Sequence, residues 1–327
     1  MLKNKGVYFG LLSGLTWAID TVLIGIVLSS TLFLSSEQVI FLAPLVSTFL
    51  HDFLSTIWMM IFLGIRGELK TTFSRVRTRS GRWVILGSLL GGPIGMTCYV
   101  LAVKYIGAAY TASFSAIYPA VGAFMAFLIL KDRLRLKNWI GLFISILFIF
   151  LLGYSSGEFA SDNYIIGFLF VLGAIFGWGM ECVILAYGMK DEEITPQQAL
   201  QVRQLVSAVT YGVLILPFMK AYPLVGTALM SKEILFIAVI ALFGTTSYLF
   251  YYSAIHKIGP TRAMALNISY SAWAIIISAI FLGAPLTLKM FFFSIMILVG
   301  SVLTVAGPDE FTFKKLFSRR SVGEPIK

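Results

Sequence analysis

The chain has 327 residues, of which 58% are apolar or aromatic and only 12% are charged. Soluble domains carry roughly 25% charged residues, so a water-facing surface is excluded, and with it a soluble multidomain enzyme or a disordered chain. In so apolar a chain the net charge of +10 belongs to cytoplasmic loops and gives no reason to invoke nucleic acid.

Ten apolar runs of spanning length fall at about 6–28, 38–64, 83–103, 108–130, 138–154, 164–188, 198–219, 233–254, 260–283 and 287–306. They are continuous, whereas a barrel strand needs only ~10 alternating residues, so each is read as a helix. The first run is full-length and lacks a small-residue cleavage site, which marks a span and not a signal peptide. It carries Gly10 and Gly14 in a GxxxG spacing, then Trp17 and Asp20 one turn apart on one face. The second run holds His51 and Asp52. An imidazole titrates near neutrality, so this pair is the candidate proton switch. In the third run Gly91, Gly92, Pro93 and Gly95 predict a bend or a close helix approach. In the fourth, Tyr118 stands eleven residues after Gly107, at mid-membrane depth, and Pro119 predicts a kink there.

The sixth run repeats features of the first, with Gly173 and Gly177 followed by Trp178 and Glu181. Arg203 lies in the seventh, Tyr248 and Tyr251 lie one turn apart in the eighth, and Tyr270 and Trp273 lie one turn apart in the ninth. Cys98 and Cys182 both sit in apolar runs without a CxxC pair, so neither a disulfide framework nor a zinc site is expected. No cofactor is expected either. Glu37, Glu158 and Asp162 fall in loops opposite the N-terminus.

Lys and Arg set the orientation. Of 25 such residues, only Lys104, Lys220, Lys232 and Lys289 fall on the side opposite the N-terminus, and Arg203 lies within a run. That bias places both ends in the cytoplasm. The chain also repeats itself. Residues 99–107 (YVLAVKYIG) resemble residues 251–259 (YYSAIHKIG) at an offset of 152, which also carries Tyr118 onto Tyr270 and His51 onto Arg203. Near the start the offset is 161, and it carries Gly6 onto Gly167, Trp17 onto Trp178 and Asp20 onto Glu181. Five spans per half is an odd number, so the halves enter the membrane from opposite sides. The expected fold is therefore an all-α membrane protein of ten transmembrane helices in a five-plus-five inverted-topology repeat. Its parts are residues 1–157, residues 158–307 and a basic cytoplasmic tail, 308–327. Inverted repeats characterise transporters that hold substrate at the repeat interface near the midplane.

A charge at the bilayer centre costs about 2.5–3.5 kcal/mol on insertion scales, so each buried ionisable group needs a partner, a cavity or a role. Asp20, Asp52, Glu181, Arg203 and His51 all lie within runs. Two Trp-plus-acid faces, one per half, suit an organic cation: the ring attracts it and the carboxylate supplies countercharge. Trp17, Asp20, Trp178, Glu181, Tyr118 and Tyr270 are the candidate substrate-binding residues, extended by Trp273 and Tyr248. His51, Asp52 and Arg203 are candidates for coupling or gating, with protons as the possible coupling ion. An enzyme is not expected: the two His, at 51 and 256, form no cluster with acids, and no GxSxG elbow is present.

Several stretches carry a resemblance. Five-plus-five helices resemble the drug/metabolite transporter superfamily with its EamA-type domains. Within it, Gly6–Trp17 (GVYFGLLSGLTW), His51–Ser55 (HDFLS), Gly92–Met96 (GPIGM), Ala102–Gly107 (AVKYIG), Ser115–Ala120 (SAIYPA), Leu266–Tyr270 (LNISY) and Gly283–Leu286 (GAPL) are similar to bacterial choline-uptake permeases. The resemblance implies choline import across a bacterial plasma membrane by alternating access. It also implies an aromatic cage of Trp17, Tyr118, Trp178 and Tyr270 with Glu181. The family pattern has an acid in the eighth run, where this chain reads Phe243–Tyr248 (FGTTSY), and a small neutral residue where Asp20 stands. The superfamily alone implies a second reading, export of amino acids, metabolites or cationic drugs.

Overall fold

The computed structural model describes residues 2–154 and 164–305. The basic tail, Glu158 and Asp162 lie outside them. Among the described residues every regular element is helical, as a bilayer requires of any chain that is not a closed barrel.

In chain order the helices are α1 (Leu2–Leu28), α2 (Glu37–Ile65), the short α3 (Leu69–Arg75), α4 (Arg79–Ile106), α5 (Ala108–Ser115), α6 (Tyr118–Leu130) and α7 (Leu136–Tyr154). The second half holds α8 (Tyr164–Gly188), α9 (Pro196–Phe218), the short α10 (Tyr222–Leu229), α11 (Glu233–Ile258), α12 (Pro260–Asn267), α13 (Tyr270–Leu282) and α14 (Leu288–Val305). Caps define the loop ends. The Ser36 hydroxyl accepts from Val39 N at 3.2 Å, and Thr195 and Gln198 form a reciprocal capping box ahead of α9.

Among the described residues, seven helices are long and apolar enough to cross a membrane: α1, α2, α4, α8, α9, α11 and the α12–α13 stretch. All ten apolar runs are helical, but α6, α7 and α14 present shorter apolar lengths. The fourth run is divided into α5 and α6 at Ala116–Ile117, one turn before the kink expected at Pro119. Pro119 instead sits in the first turn of α6, where its missing N–H costs nothing. The ninth run breaks at Ile268–Ser269 without any proline. The break in the fourth run thus falls directly ahead of Pro119, whose missing N–H cannot bond the Ser115 carbonyl, and its counterpart in the ninth run forms without a proline.

The packing pairs are interchanged when the two halves are exchanged. α1 lies along α11, and α8 lies along α4. α1 also meets α12 and α13, and α8 meets α5 and α6. α2 packs on α9 and α7 on α14, each helix against its own counterpart. Glycines mark the closest approaches. A Cβ at Gly6 would strike Ile258, and one at Gly167 would strike Ile106, the residue 152 positions earlier. Backbone conformation repeats too: Gly107 has φ 81° and ψ 159°, and Gly259 has φ 84° and ψ 161°. Lys131 (φ 56°) and Gly283 (φ 64°) end α6 and α13 in the left-handed region. Large apolar side chains cover the outside, including Phe281, Leu288 and Phe218, as expected of a lipid-facing surface.

A buried acid and base network flanked by aromatic rings

Five ionisable side chains meet inside the bundle. Asp20 comes from the middle of α1, His51 and Asp52 from the middle of α2, Glu181 from α8 and Arg203 from α9. All five are buried, none more than 8% exposed. Arg203 is the hub. Its Nη1 donates to both Asp52 oxygens at 3.1 Å and to Gln204 Oε1 at 2.9 Å. Its Nε donates to Glu181 Oε1 at 3.3 Å, and its Nη2 donates to the Tyr248 hydroxyl at 3.1 Å. On the far side of Asp52, His51 Nδ1 lies 3.4 Å from Asp52 Oδ1, and its Nε2 lies 3.0 Å from Asp20 Oδ1.

The network repeats with the halves. Asp20 and Glu181 are equivalent at offset 161, and His51 and Arg203 at offset 152. Each acid pairs with the base of its own half, Asp20 with His51 and Glu181 with Arg203. Asp52 bridges the two pairs, and its own counterpart, Gln204, contacts the same guanidinium nitrogen. Three carboxylates face one guanidinium and one imidazole, so the cluster is rich in negative charge. Such a cluster persists in a low-dielectric bundle only because nearly every charge has a partner of opposite sign.

Glycines make room for it. A Cβ on Gly244 of α11 would collide with His51 and Asp20, and a Cβ on Gly91 of α4 would collide with Glu181. Gly92, the counterpart of Gly244 at offset 152, faces Ser207 and the Arg203 guanidinium. The third-run glycines thus do provide the close approach expected from sequence. They do so within a π-helical turn, Leu90–Met96, where the backbone bulges around the carboxylate and Gly95 sits against Trp178. The GxxxG glycines serve the same end: Gly14 lies against Ser269, and Gly177 against Leu90 and Gly95.

The aromatic candidates form two groups. In one, Trp17 meets Tyr248 edge to face at 5.1 Å, and Tyr248 meets Tyr252 at 6.1 Å. The Arg203 guanidinium lies over the Tyr248 ring, 4.6 Å from its centroid. In the other, Trp178 meets Tyr99 at 5.2 Å and Tyr118 at 5.9 Å. Tyr270 lies within electrostatic reach of both Tyr99 and Tyr118. Trp17, Tyr99, Tyr118, Trp178, Tyr248 and Tyr270 all keep part of their surface accessible, while the charges stay buried. Trp17 and Trp178 meet different tyrosines, and Tyr118 lies within electrostatic reach of Tyr248 as well as Tyr270. Trp273 is half-buried, and its indole Nε1 is buried without a hydrogen-bond partner.

Sequence reading passed over Tyr99, Gly244 and Gln204 as site residues. Each had a signal in the repeat: Tyr99 opens the segment that recurs at Tyr251, and Gly244 and Gln204 are counterparts of Gly92 and Asp52. Cys182 and Tyr251 were also unremarked as a pair. Their Sγ and hydroxyl lie 2.9 Å apart, next to Glu181 in sequence.

The EamA-like transporter family matches this chain twice, over residues 4–154 and again over residues 165–306. Protein LicB of Haemophilus influenzae is 31% identical over 303 residues, covering 92% of this chain and 97% of that protein. A solved crystal structure shares 15% identity and superposes with a TM-score of 0.66 over 93% of this chain and 96% of the other. That last likeness speaks to the fold alone. With the helical bundle, its swapped packing and the two full-length matches together, this chain belongs to the EamA-like transporter family and is a membrane transporter, not an enzyme.

Proposed function

We propose that this transporter imports choline or a related quaternary ammonium cation across a bacterial plasma membrane. The observation that carries the reading is the aromatic group around Trp178, with Tyr118, Tyr99 and Tyr270, one helical turn from Glu181, whose cluster has more carboxylates than bases. A quaternary ammonium offers no hydrogen-bond donor, so ring faces with nearby countercharge are what recognise it. The resemblance of the sequence to choline-uptake permeases points the same way.

In this reading, residues 1–157 and 158–307 are two five-helix units of inverted topology, ten spans in all, with both ends and the 308–327 tail in the cytoplasm. Rocking of one unit against the other exposes the site to each side in turn. The swapped packing of α1 with α11 and α8 with α4 supports that symmetry. The membrane potential draws a cation inward with about 2.3 kcal/mol per charge per 100 mV, so import needs no second ion. If a proton is coupled, His51 between Asp20 and Asp52 carries it.

The test is uptake of radiolabelled choline into proteoliposomes under an inside-negative potential. Uptake is expected for the native chain, and Trp178→Ala is expected to lower choline affinity at least tenfold. No uptake, with Trp178→Ala leaving binding intact, overturns the reading. Efflux without uptake would assign the protein to export of cationic compounds.

A further inference from the structure

We propose that the Arg203 guanidinium is a tethered cation that occupies the Trp17–Tyr248 aromatic subsite, and that an incoming organic cation takes Glu181 and Tyr248 by displacing it towards Asp52. The inference rests on the cation-transport reading above and adds to it a built-in competitor and a second ligand class.

An organic cation is recognised by a ring face and a carboxylate, held close together away from bulk water. Arg203 already uses both. Its guanidinium lies 4.6 Å from the Tyr248 centroid, and its Nε contacts Glu181 Oε1 at 3.3 Å. Trp17 closes the far edge of Tyr248 at 5.1 Å. The repeat-related group in the other half is His51, which among the described residues is paired with the carboxylates Asp20 and Asp52. Among the described residues no Lys or Arg lies over the Trp178, Tyr118 or Tyr99 rings, whereas Arg203 lies over Tyr248. Trp17 and Trp178 are repeat-related, but Tyr248 stands where the first half has Met96, and it is over this added ring that the guanidinium lies.

The way Arg203 is anchored permits exchange. Nη1 is held by both Asp52 oxygens and by Gln204, all at 2.9–3.1 Å. The other edge, Nε and Nη2, holds Glu181 and Tyr248. Rotation about the Asp52 anchor releases Glu181 and Tyr248 while the guanidinium keeps its charge compensated. No buried charge is left bare at any point, provided the ligand is itself a cation. A neutral ligand would leave Glu181 unpaired, so the exchange selects for cations. Because the vacated subsite is already shaped around a planar guanidinium, small guanidinium compounds are the second ligand class that it would take.

The test uses the full chain in detergent, with tetramethylammonium and methylguanidinium as probes, read by calorimetric binding and by thermal melting. Arg203→Ala is expected to melt below the native protein and to regain most of that loss with methylguanidinium, which should barely move the native protein. Tetramethylammonium is expected to bind Arg203→Ala at least tenfold more tightly than the native chain. Arg203→Lys keeps the charge but not the planar contact, and is expected to bind tetramethylammonium severalfold more tightly. This variant decides the matter if Arg203→Ala does not fold. Tetramethylammonium binding that is unchanged or weaker in both variants, without methylguanidinium rescue, overturns the tethered cation. Native protein that binds no tetramethylammonium, with rescue intact, overturns the quaternary ammonium reading and leaves the tether standing.

Discussion

A carboxylate deep in a bilayer is retained only where something repays its desolvation. For Asp52 the repayment is Arg203, which donates to both of its oxygens. Breaking a buried pair by removing one partner costs about 3–5 kcal/mol, because the other charge is left uncompensated. Asp52→Asn should lower the melting temperature in detergent more than Asp20→Asn does, since Asp52 meets both Arg203 and His51 whereas, among the described residues, Asp20 is paired with His51 alone. Equal shifts would show that Arg203 does not depend on Asp52. The glycines allow a second, steric test. Overpacking costs typically 1–3 kcal/mol, and a Cβ at Gly244 meets His51 and Asp20 while one at Gly91 meets Glu181. Gly244→Ala and Gly91→Ala should each destabilise by that amount. Gly226→Ala, where no atom lies within 4 Å, should be silent; if it is as damaging as the other two, the steric account fails. At this scale the chain offsets alone make Asp20 equivalent to Glu181 and His51 to Arg203. They do not reveal which acid meets which base, because the pairing depends on how α1 and α2 meet at Gly244 of α11, and α8 and α9 at Gly91 and Gly92 of α4.

The elements carry the repeat more visibly than the side chains do. α4 passes to α5 through Gly107, and α11 passes to α12 through Gly259, both with φ above 80° and ψ near 160°. An L side chain in that conformation is strained by about 1–3 kcal/mol. Gly107→Ala and Gly259→Ala should therefore cost nearly the same melting temperature, because the two turns are the same turn used twice. A loss at one position and none at the other, measured by thermal melting, would break the equivalence. The α5–α6 and α12–α13 breaks show where sequence reading reaches its limit. Pro119 is conspicuous, yet the interruption precedes it and recurs at Ile268–Ser269 where no proline stands. In the second case Ser269 Oγ donates to the Leu266 carbonyl at 2.5 Å, a local side-chain bond that competes with the helix ladder. Apolar periodicity cannot register such a bond, whereas run length and lack of charge did register every helix in which the breaks occur. Tyr118 and Tyr270 open the second half of each broken run. The breaks therefore set the depth of both tyrosines.

For the molecule as a whole, orientation and span count can be tested together. Lys190 and Lys232 are exposed and flank α9. The only other helix between them, α10, has 8 residues, or roughly 12 Å at ~1.5 Å per residue, far short of the ~30 Å hydrocarbon core. One crossing separates the two positions, so they must lie on opposite sides whatever the orientation. Lys257 and Lys289 flank the α12–α13 stretch in the same way and are also exposed. The distribution of Lys and Arg predicts which side is which. Cys98 and Cys182 are the chain's only cysteines, so replacing both with serine gives a background for single-cysteine labelling with a membrane-impermeant maleimide. On intact cells, Lys232→Cys and Lys289→Cys should react, while Lys190→Cys and Lys257→Cys should react only after permeabilisation. The reverse pattern would invert the protein and, with it, the inward direction argued for transport. Reaction of both members of a pair from one side would remove a span. An even number of crossings in the second half would then replace the odd number that makes the repeat inverted. In that case Asp20 with His51 and Glu181 with Arg203 would no longer be images of each other across the midplane. The inverted arrangement thus stands or falls on four surface lysines far from the site it explains.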